Sequence, residues 1–189
     1  QAIMKSVGIV ENLESMWKKK DGAHINILES ARAIKDKEGK VFYYEGVVIN
    51  ITDKKLMEAS LYQSQVKISS IFKVAPVGIG LEKDRILLEI NPRICEMTGY
   101  CEKELKGKSA RILYPTDVEF ELVGSEKYRQ IAEKGTGTVE TIWKRKDGTL
   151  INILLSSTSV DIADKEKGLI FTALDITERK LAEETIRES

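Results

Sequence analysis

The amino-acid sequence predicts an α+β fold in which a five-stranded antiparallel sheet carries its helices on one face. A three-stranded meander and a helical connector are predicted to precede this domain. Three observations indicate the fold. A sequence block recurs about 126 residues apart, β-favourable runs flank Asp-Gly turns, and helical segments begin and end at capping residues. Strands and helices that follow one another in separate groups are typical of this class.

The repeat indicates how the chain is organised. WKKKDGAHINIL at 17–28 and WKRKDGTLINIL at 143–154 are identical at nine of twelve positions, and NITDKKL at 50–56 matches DITERKL at 175–181. Because this period is the size of a domain, we interpret the chain as an incomplete domain duplication. We predict the C-terminal half of a first domain at 1–52, a helical connector at 53–72, a complete domain at 73–177 and the start of a further helix at 178–189.

Hairpin signals place the strands of both copies. In the complete copy, two β-favourable runs flank Asp147-Gly148, and a third run, LIFTAL, follows at 169–174. Gly adopts the positive φ of a tight turn without steric cost, so Asp-Gly between such runs is a strong hairpin signal. The first copy has corresponding turns at Asp21-Gly22 and Glu38-Gly39. Each copy is therefore predicted to contain a three-stranded antiparallel meander.

Two more strands and several helices are predicted upstream in the complete copy. VGIGLEK and RILLEI indicate a short hairpin. Asn91-Pro92 predicts a helix start, because Asn is a good N-cap and Pro suits the first helical position; Gly99 ends this helix. A longer helix is predicted over 118–134, ended by the glycines at 135 and 137. The predicted order of elements is β-β-α-α-α-β-β-β.

The connector has apolar residues at spacings of 4, 3, 4 and 3. This pattern is close to a heptad seam with one polar position at Ser64, which suggests a homodimer formed through this helix. A single amphipathic helix packed on its own domain is the alternative. The predicted dimer seam consists of Met57, Leu61, Ile68 and Ile71.

Composition excludes several classes of protein. Lys+Arg and Asp+Glu both number 30, and this zero balance argues against general nucleic-acid binding. No apolar run approaches the roughly 18 residues of a membrane span, so we expect no membrane contact from this fragment and a cytoplasmic location. A lone histidine, His24, argues against a His-built metal site. Because the sequence begins with Gln, we expect a piece of a longer protein.

The complete copy resembles a PAS domain, the sensory module of prokaryotic signalling proteins. The resemblance runs through the whole domain in the order of the family, and the first copy resembles the C-terminal half of a second PAS domain. DITERK after a KDG hairpin is its most telling part. The matching stretches are APVGI (75–79), Asn91, MTGY (97–100), EKELKGKS (102–109), RKDG (145–148) and DITERK (175–180).

The resemblance implies a non-enzymatic sensor or relay unit within a multidomain regulator. Its output domain, such as a histidine kinase, would lie in the same polypeptide outside these residues. The strand-to-helix junction would couple the sheet to the output helix through Asp175, Ile176, Thr177 and Glu178. The Asp175 carboxylate can also cap that helix. In the first copy this position is Asn50, which can cap but carries no charge.

Two cofactor chemistries of the family are not supported by the residues. A thiol–flavin photosensor has Cys in a GxNCRFL motif, and Ala110 stands at that position in the matching stretch 107–113. A haem relative commonly uses an axial His on the long helix, and 118–134 contains no His. The cofactor, if one is bound, therefore stays unknown.

The resemblance places any small-molecule ligand between the sheet and the helices. Aromatic and aliphatic residues at the spacings of the predicted wall belong to an ordinary core more often than to a pocket. A ligand-free dimerisation or spacer module is therefore the alternative, and an enzyme is disfavoured because no cluster of His, Asp, Glu and Cys is evident. The ligand-pocket candidates are Ile112, Leu113, Tyr128, Ile131, Trp143, Ile153 and Phe171.

Overall fold

The computed structural model describes residues 8–161 and 168–187. The chain divides into two compact units, Gln1–Lys67 and Ile68–Ser189. This division falls inside a continuous helix, and the four domain bounds given by the sequence stay predictions.

The first unit contains a three-stranded antiparallel sheet in the order β1-β2-β3. Its strands are β1 (Ile9–Lys18), β2 (His24–Lys35) and β3 (Val41–Asn50). Gly22 and Gly39 adopt φ values of +91° and +81°, at the two turns predicted from the sequence. Ile27 is fully buried, whereas many other apolar side chains of this sheet are exposed.

Helix α1 (Thr52–Val74) follows β3 and has no buried residue. The four residues of the predicted seam are between 56% and 73% exposed. These four side chains are therefore not buried by other described residues. A helix docked on its own domain would bury them. Among the described residues, none of the helices is both long enough and apolar enough to cross a membrane.

The second unit contains a five-stranded antiparallel sheet in the order β5-β4-β8-β7-β6. Alternate residues on these strands are buried, which defines an inner face against the helices and an outer face. This arrangement confirms the predicted α+β class. One detail differs, because Gly137 lies inside β6 rather than at the end of a helix. The strands are β4 (Gly78–Lys83), β5 (Ile86–Ile90), β6 (Thr136–Lys144), β7 (Leu150–Ser159) and β8 (Leu169–Asp175).

Short helices cross the inner face after β5. They are α2 (Pro92–Thr98), α3 (Glu102–Leu105) and a 3-10 turn (Ala110–Leu113). Asn91 caps α2 as predicted, and Gly99 ends it in the left-handed conformation at φ +76°. Asn91 is fully buried and its side chain makes four hydrogen bonds. Its Oδ1 accepts from the N–H groups of Ile79 and Ile94, and its Nδ2 donates to the carbonyls of Phe72 and Val77.

The long helix α4 (Asp117–Lys134) begins one residue before the predicted start. The Thr116 hydroxyl accepts from the Glu119 N–H at 3.1 Å, and Gly135 ends the helix at φ +78°. Helix α5 (Thr177–Arg187) follows β8 directly.

Arg85 fixes the β4–β5 hairpin onto α4. Both turn residues, Asp84 and Arg85, have positive φ, which matches the type I′ turn of a two-residue hairpin. The Arg85 guanidinium lies 3.1 Å above the Phe120 ring and donates to the Phe120 carbonyl. A Cβ at Gly124 would come within 2.8 Å of this guanidinium, so the glycine provides the space. The end of β4 is thereby held against the middle of α4.

Candidate functional site

A small inner cavity lies between the sheet and the helices of the second unit. Its volume is about 10 Å³, which is close to the minimum that a single water molecule needs. Two charged side chains and two polar aromatic ones interrupt an otherwise apolar lining. The cavity is lined by Glu82, Leu87, Ala110, Leu113, Tyr114, Lys127, Trp143, Leu155 and Phe171.

Glu82 and Lys127 form an ion pair inside this cavity. The Lys127 Nζ donates to the Glu82 Oε1, and only 3% of Lys127 and 4% of Glu82 is exposed. Glu82 faces inward because it continues the alternation of Gly78 and Gly80 along β4. Lys127 faces inward because it lies one helical turn after the buried Val123. Each charge compensates the desolvation of the other, and removing one partner would leave a buried charge.

Two aromatic side chains add hydrogen-bond donors to the cavity. The rings of Tyr114 and Trp143 are 6.5 Å apart in an edge-to-face arrangement. Burial raises the pKa of Tyr114 to about 12, so the hydroxyl keeps its proton at neutral pH. The Trp143 Nε1 is buried and has no hydrogen-bond acceptor among the described residues.

An outer groove of about 510 Å³ lies beside the end of β4. Glu82 lines both the outer groove and the inner cavity. The remaining described residues of the groove include Asp84, Tyr128 and Ile131. The Glu82 side chain therefore forms part of the wall between the two spaces.

The predicted ligand-pocket residues separate into three groups. Leu113, Trp143 and Phe171 line the inner cavity. Tyr128 and Ile131 line the outer groove.

Ile153 is fully buried in the core, and Ile112 packs against the core from its edge. The two charged residues of the cavity, Glu82 and Lys127, were not among the predicted pocket residues. The inward phase of β4 and the 123–127 spacing on α4 were the signals that pointed to them.

The junction of β8 and α5 is held by hydrogen bonds to β7. The Asp175 Oδ1 accepts from the Thr177 N–H at 2.9 Å and so caps α5. The Thr177 hydroxyl accepts from the Asn152 N–H, and the Ile176 N–H donates to the Asn152 carbonyl, both at 2.9 Å. Arg145 lies 3.5 Å from Asp175 and forms an ion pair with it. The first residues of α5 are thus fixed to β7.

Glu178, the fourth residue predicted for the junction, lines a shallow groove beside it. This groove has a volume of about 380 Å³, and Arg93, Arg145 and Asp175 also line it. Three of the four predicted residues therefore contact β7, and the fourth faces the adjoining surface.

An ion pair on the outer face extends this junction. Glu140 of β6 pairs with Arg179 at 2.9 Å and with Lys180 at 2.5 Å, both in the first turn of α5. The Lys180 hydrogen bond lowers the pKa of Glu140. The helix is thereby tied to a second strand.

The first unit contains the same junction between β3 and α1. The Asn50 Oδ1 accepts from the Thr52 N–H at 3.0 Å, and the Ile51 N–H donates to the Asn26 carbonyl at 2.9 Å. The Asn26 N–H donates to the Thr52 hydroxyl at 2.9 Å. These contacts correspond one by one to those of the second unit.

The outer-face ion pair is repeated as well. Glu14 and Lys55 are 2.7 Å apart, and they occupy the repeat positions of Glu140 and Lys180. The hydrogen bond to Glu14 raises the pKa of Lys55. Asn50 caps its helix without a charge, as the sequence predicted. Asn50 occupies the position of Asp175 but is uncharged. It therefore cannot form the ion pair that Asp175 forms with Arg145.

The comparison with known families identifies the fold. Residues 75–178, more than half of the chain, match the family described as the PAS domain. The chain therefore belongs to the PAS domain family, and the resemblance stated from the sequence is confirmed.

Individual relatives agree with this assignment. The sensor protein TdiS of Thauera aromatica is 34% identical over 120 residues, which cover 63% of this chain and 22% of the relative. This chain thus spans about a fifth of the length of that protein.

Among solved structures, the PAS domain of a LuxR-family transcriptional regulator from Burkholderia thailandensis, in complex with ethanol, is similar with a TM-score of 0.54. It is 25% identical, and the match covers 57% of this chain and 96% of that one. A PAS domain from Colwellia psychrerythraea has a TM-score of 0.56 at 18% identity, covering 60% of this chain and 98% of that one.

Proposed function

We propose that this chain is a non-enzymatic sensory and relay module of a larger signal-transduction protein. A change in the sheet or core of the second unit would pass through Asp175–Thr177 into α5 and on to an output domain, such as a histidine kinase. Family membership and the similarity to a sensor protein support the signalling role. A cytoplasmic location belongs to the same proposal.

The junction is the observation that carries this proposal. Asp175, Ile176 and Thr177 each contribute a hydrogen bond that ties the start of α5 to the end of the sheet or to β7. A displacement of β7 relative to β8 would break or redirect these bonds, and the first turn of α5 would have to follow. Coupling between two sites requires an element whose position both sites influence. The junction meets this requirement because its hydrogen bonds join the sheet to α5.

Dimerisation through α1 is the second part of the proposal. The four seam residues are apolar, follow a heptad spacing and are exposed along one helix. Exposed apolar residues in this pattern are typical of helices that pair with a second copy. A homodimer would place two output helices under common control.

A ligand-free spacer is the second candidate function, and the size of the inner cavity favours it. A space of about 10 Å³ holds no organic molecule unless side chains move. In this case the domain would relay a signal or separate neighbouring domains without binding a ligand of its own. Native mass spectrometry before and after denaturation, with absorbance between roughly 300 and 700 nm, separates the candidates. A retained small mass supports the ligand sensor, and a clean protein mass supports the spacer.

A kinase chimera tests the relay directly. The chain is fused through α5, in helical register, to the catalytic core of a histidine kinase, and autophosphorylation is measured. Allosteric coupling typically amounts to about 5- to 150-fold, so Asp175→Ala and Thr177→Ala should change the rate within that range. Glu184→Ala, at an exposed position of the same helix, is the matched control. Rates within twofold of the wild type for both junction variants would remove the relay from the account.

A further inference from the structure

The polar groups of the inner cavity are unequally divided between donors and acceptors. Lys127 offers an ammonium group, Tyr114 a protonated hydroxyl and Trp143 an indole N–H. Of the described side chains that line the cavity, Glu82 alone carries an anionic acceptor. The Trp143 Nε1 is unpaired within the described residues although only 2% of this residue is exposed. The Trp143 N–H can therefore donate to an additional acceptor placed in the cavity.

The Glu82 side chain has the chemistry of a bound ligand. Beyond its Cβ it consists of CH2–COO⁻, the equivalent of an acetate placed on Lys127. It also lines the outer groove, so a rotation into that groove would move the carboxylate toward solvent. The ladder between β4 and β5 shifts register between Leu81 and Glu82, which marks an irregular backbone at this point. The space left on Lys127 would match a small carboxylate in charge and in size.

We propose that the inner cavity is a binding site for a short aliphatic monocarboxylate, which replaces Glu82 on Lys127 while Glu82 turns into the outer groove. The ligand carboxylate would accept from Lys127 Nζ and Trp143 Nε1. Leu113, Leu155 and Phe171 would contact its alkyl chain. A single carboxylate fits because Lys127 carries the only positive charge among the described residues that line the cavity. This inference rests on the proposed sensory function and names its ligand class.

Strand β8 connects the cavity to the junction. Glu82 pairs with Leu169 at the start of β8, and the same strand ends at Asp175. Displacing Glu82 would thus act on the strand that leads directly to the output helix. The ligand-bound and ligand-free states would differ in which carboxylate neutralises Lys127.

Indole N–H signals in NMR spectra give a direct test with the full chain. The protein has two tryptophans, Trp17 and Trp143, so Trp17→Phe assigns both signals. Acetate, propionate and butyrate are titrated against chloride at constant ionic strength. We expect a saturable shift of the Trp143 signal while the Trp17 signal stays in place. Lys127→Met should abolish this shift, whereas Lys134→Met, at an exposed position of the same helix, should retain it.

Removing the internal competitor should tighten binding. If the state with Glu82 displaced is about 1–10% populated, Glu82→Ala should lower the apparent Kd by about 10- to 100-fold. If Lys127→Met does not fold, Glu82→Gln replaces it as the deciding variant and should also bind more tightly than the wild type, because a neutral amide competes less well for Lys127.

Two results would overturn the proposal. In the first, none of the three carboxylates shifts the Trp143 signal of Glu82→Ala at about 100 mM, a concentration that saturates even a millimolar site. In the second, Glu82→Ala responds but the wild type does not, which would make Glu82 a permanent structural partner. Neither result changes the response of the kinase chimera to Asp175→Ala. The NMR titration therefore tests the ligand class, and the chimera tests the relay separately.

Discussion

Replacing Asn91 by Ala should destabilise the second unit by about 4 kcal/mol. The change removes the cap of α2, worth about 1 kcal/mol, and leaves the half-buried Ile79 N–H without its acceptor, which costs about 1–3 kcal/mol. The two bonds from Nδ2 to the Phe72 and Val77 carbonyls contribute about 1 kcal/mol more between them after exchange with water. For a domain with a total stability of about 5–15 kcal/mol, this is a large fraction.

Urea unfolding followed by Trp143 fluorescence measures the loss. Trp17→Phe serves as the background, because Trp17 is 46% exposed and lies in the other unit. With a slope of about 2 kcal/mol/M, the urea midpoint should fall by about 2 M. Asn152→Ala is the matched control, since Asn152 supports the junction through its main chain, and it should stay within about 0.5 kcal/mol. A shift below about 0.5 M for Asn91→Ala would refute the reasoning, because the four bonds would then be energetically replaceable.

Three further changes have specific expected outcomes. Leu61→Asp with Ile68→Asp should lower the dimer fraction in sedimentation velocity, because it places charges in the exposed seam. Gly80→Ala should cost about 1–3 kcal/mol in urea unfolding, since the new Cβ would overlap the Phe171 ring. Glu104→Gln should flatten the loss of stability in acid. Hydrogen bonds from Lys146 and from the Cys101 N–H lower the pKa of Glu104 from 4.5 to about 2, so the contribution of this carboxylate is present above pH 4.5 and disappears as the pH falls toward 2.

The seam prediction has a matched control. Ala59→Asp with Gln63→Asp carries the same charges at exposed positions on the opposite side of α1 and should leave the dimer fraction unchanged. An unchanged mass for the seam variant would exclude the seam. For Gly80→Ala, wild-type stability would show that the Phe171 ring shifts freely. Lys146→Met should flatten the acid profile only in part, because the Cys101 N–H still donates to Glu104, and a profile unchanged from the wild type would contradict the pairing.

The strands and helix ends were predictable because their signals are local. The turn at Asp21-Gly22, the cap at Asn91 and the left-handed Gly99 each depend on the conformational preferences of one or two residues. The long helix was predicted one residue short because Thr116 and Glu119 form a cap that hydrophobic spacing does not register.

The charged part of the site could not be predicted in the same way. Glu82 and Lys127 are 45 positions apart, and their meeting depends on how the β4–β5 hairpin packs on α4 through Arg85. The predicted pocket walls were aliphatic and aromatic residues, and a buried charged residue does not fit that pattern. The sequence repeat also marked one residue of the junction in each copy. Glu14 and Glu140 each stand three residues before a Trp and so occupy matching positions.

The repeated junction has a consequence for how such proteins are assembled and rearranged. Because β3–α1 and β8–α5 use the same contacts, a recombination crossover between Ile51 and Thr52, or between Ile176 and Thr177, would join either sheet to either helix with those bonds intact. Units can then be added, removed or exchanged without the evolution of a new connection each time. The same property makes this position a rational cut point for building chimeric proteins.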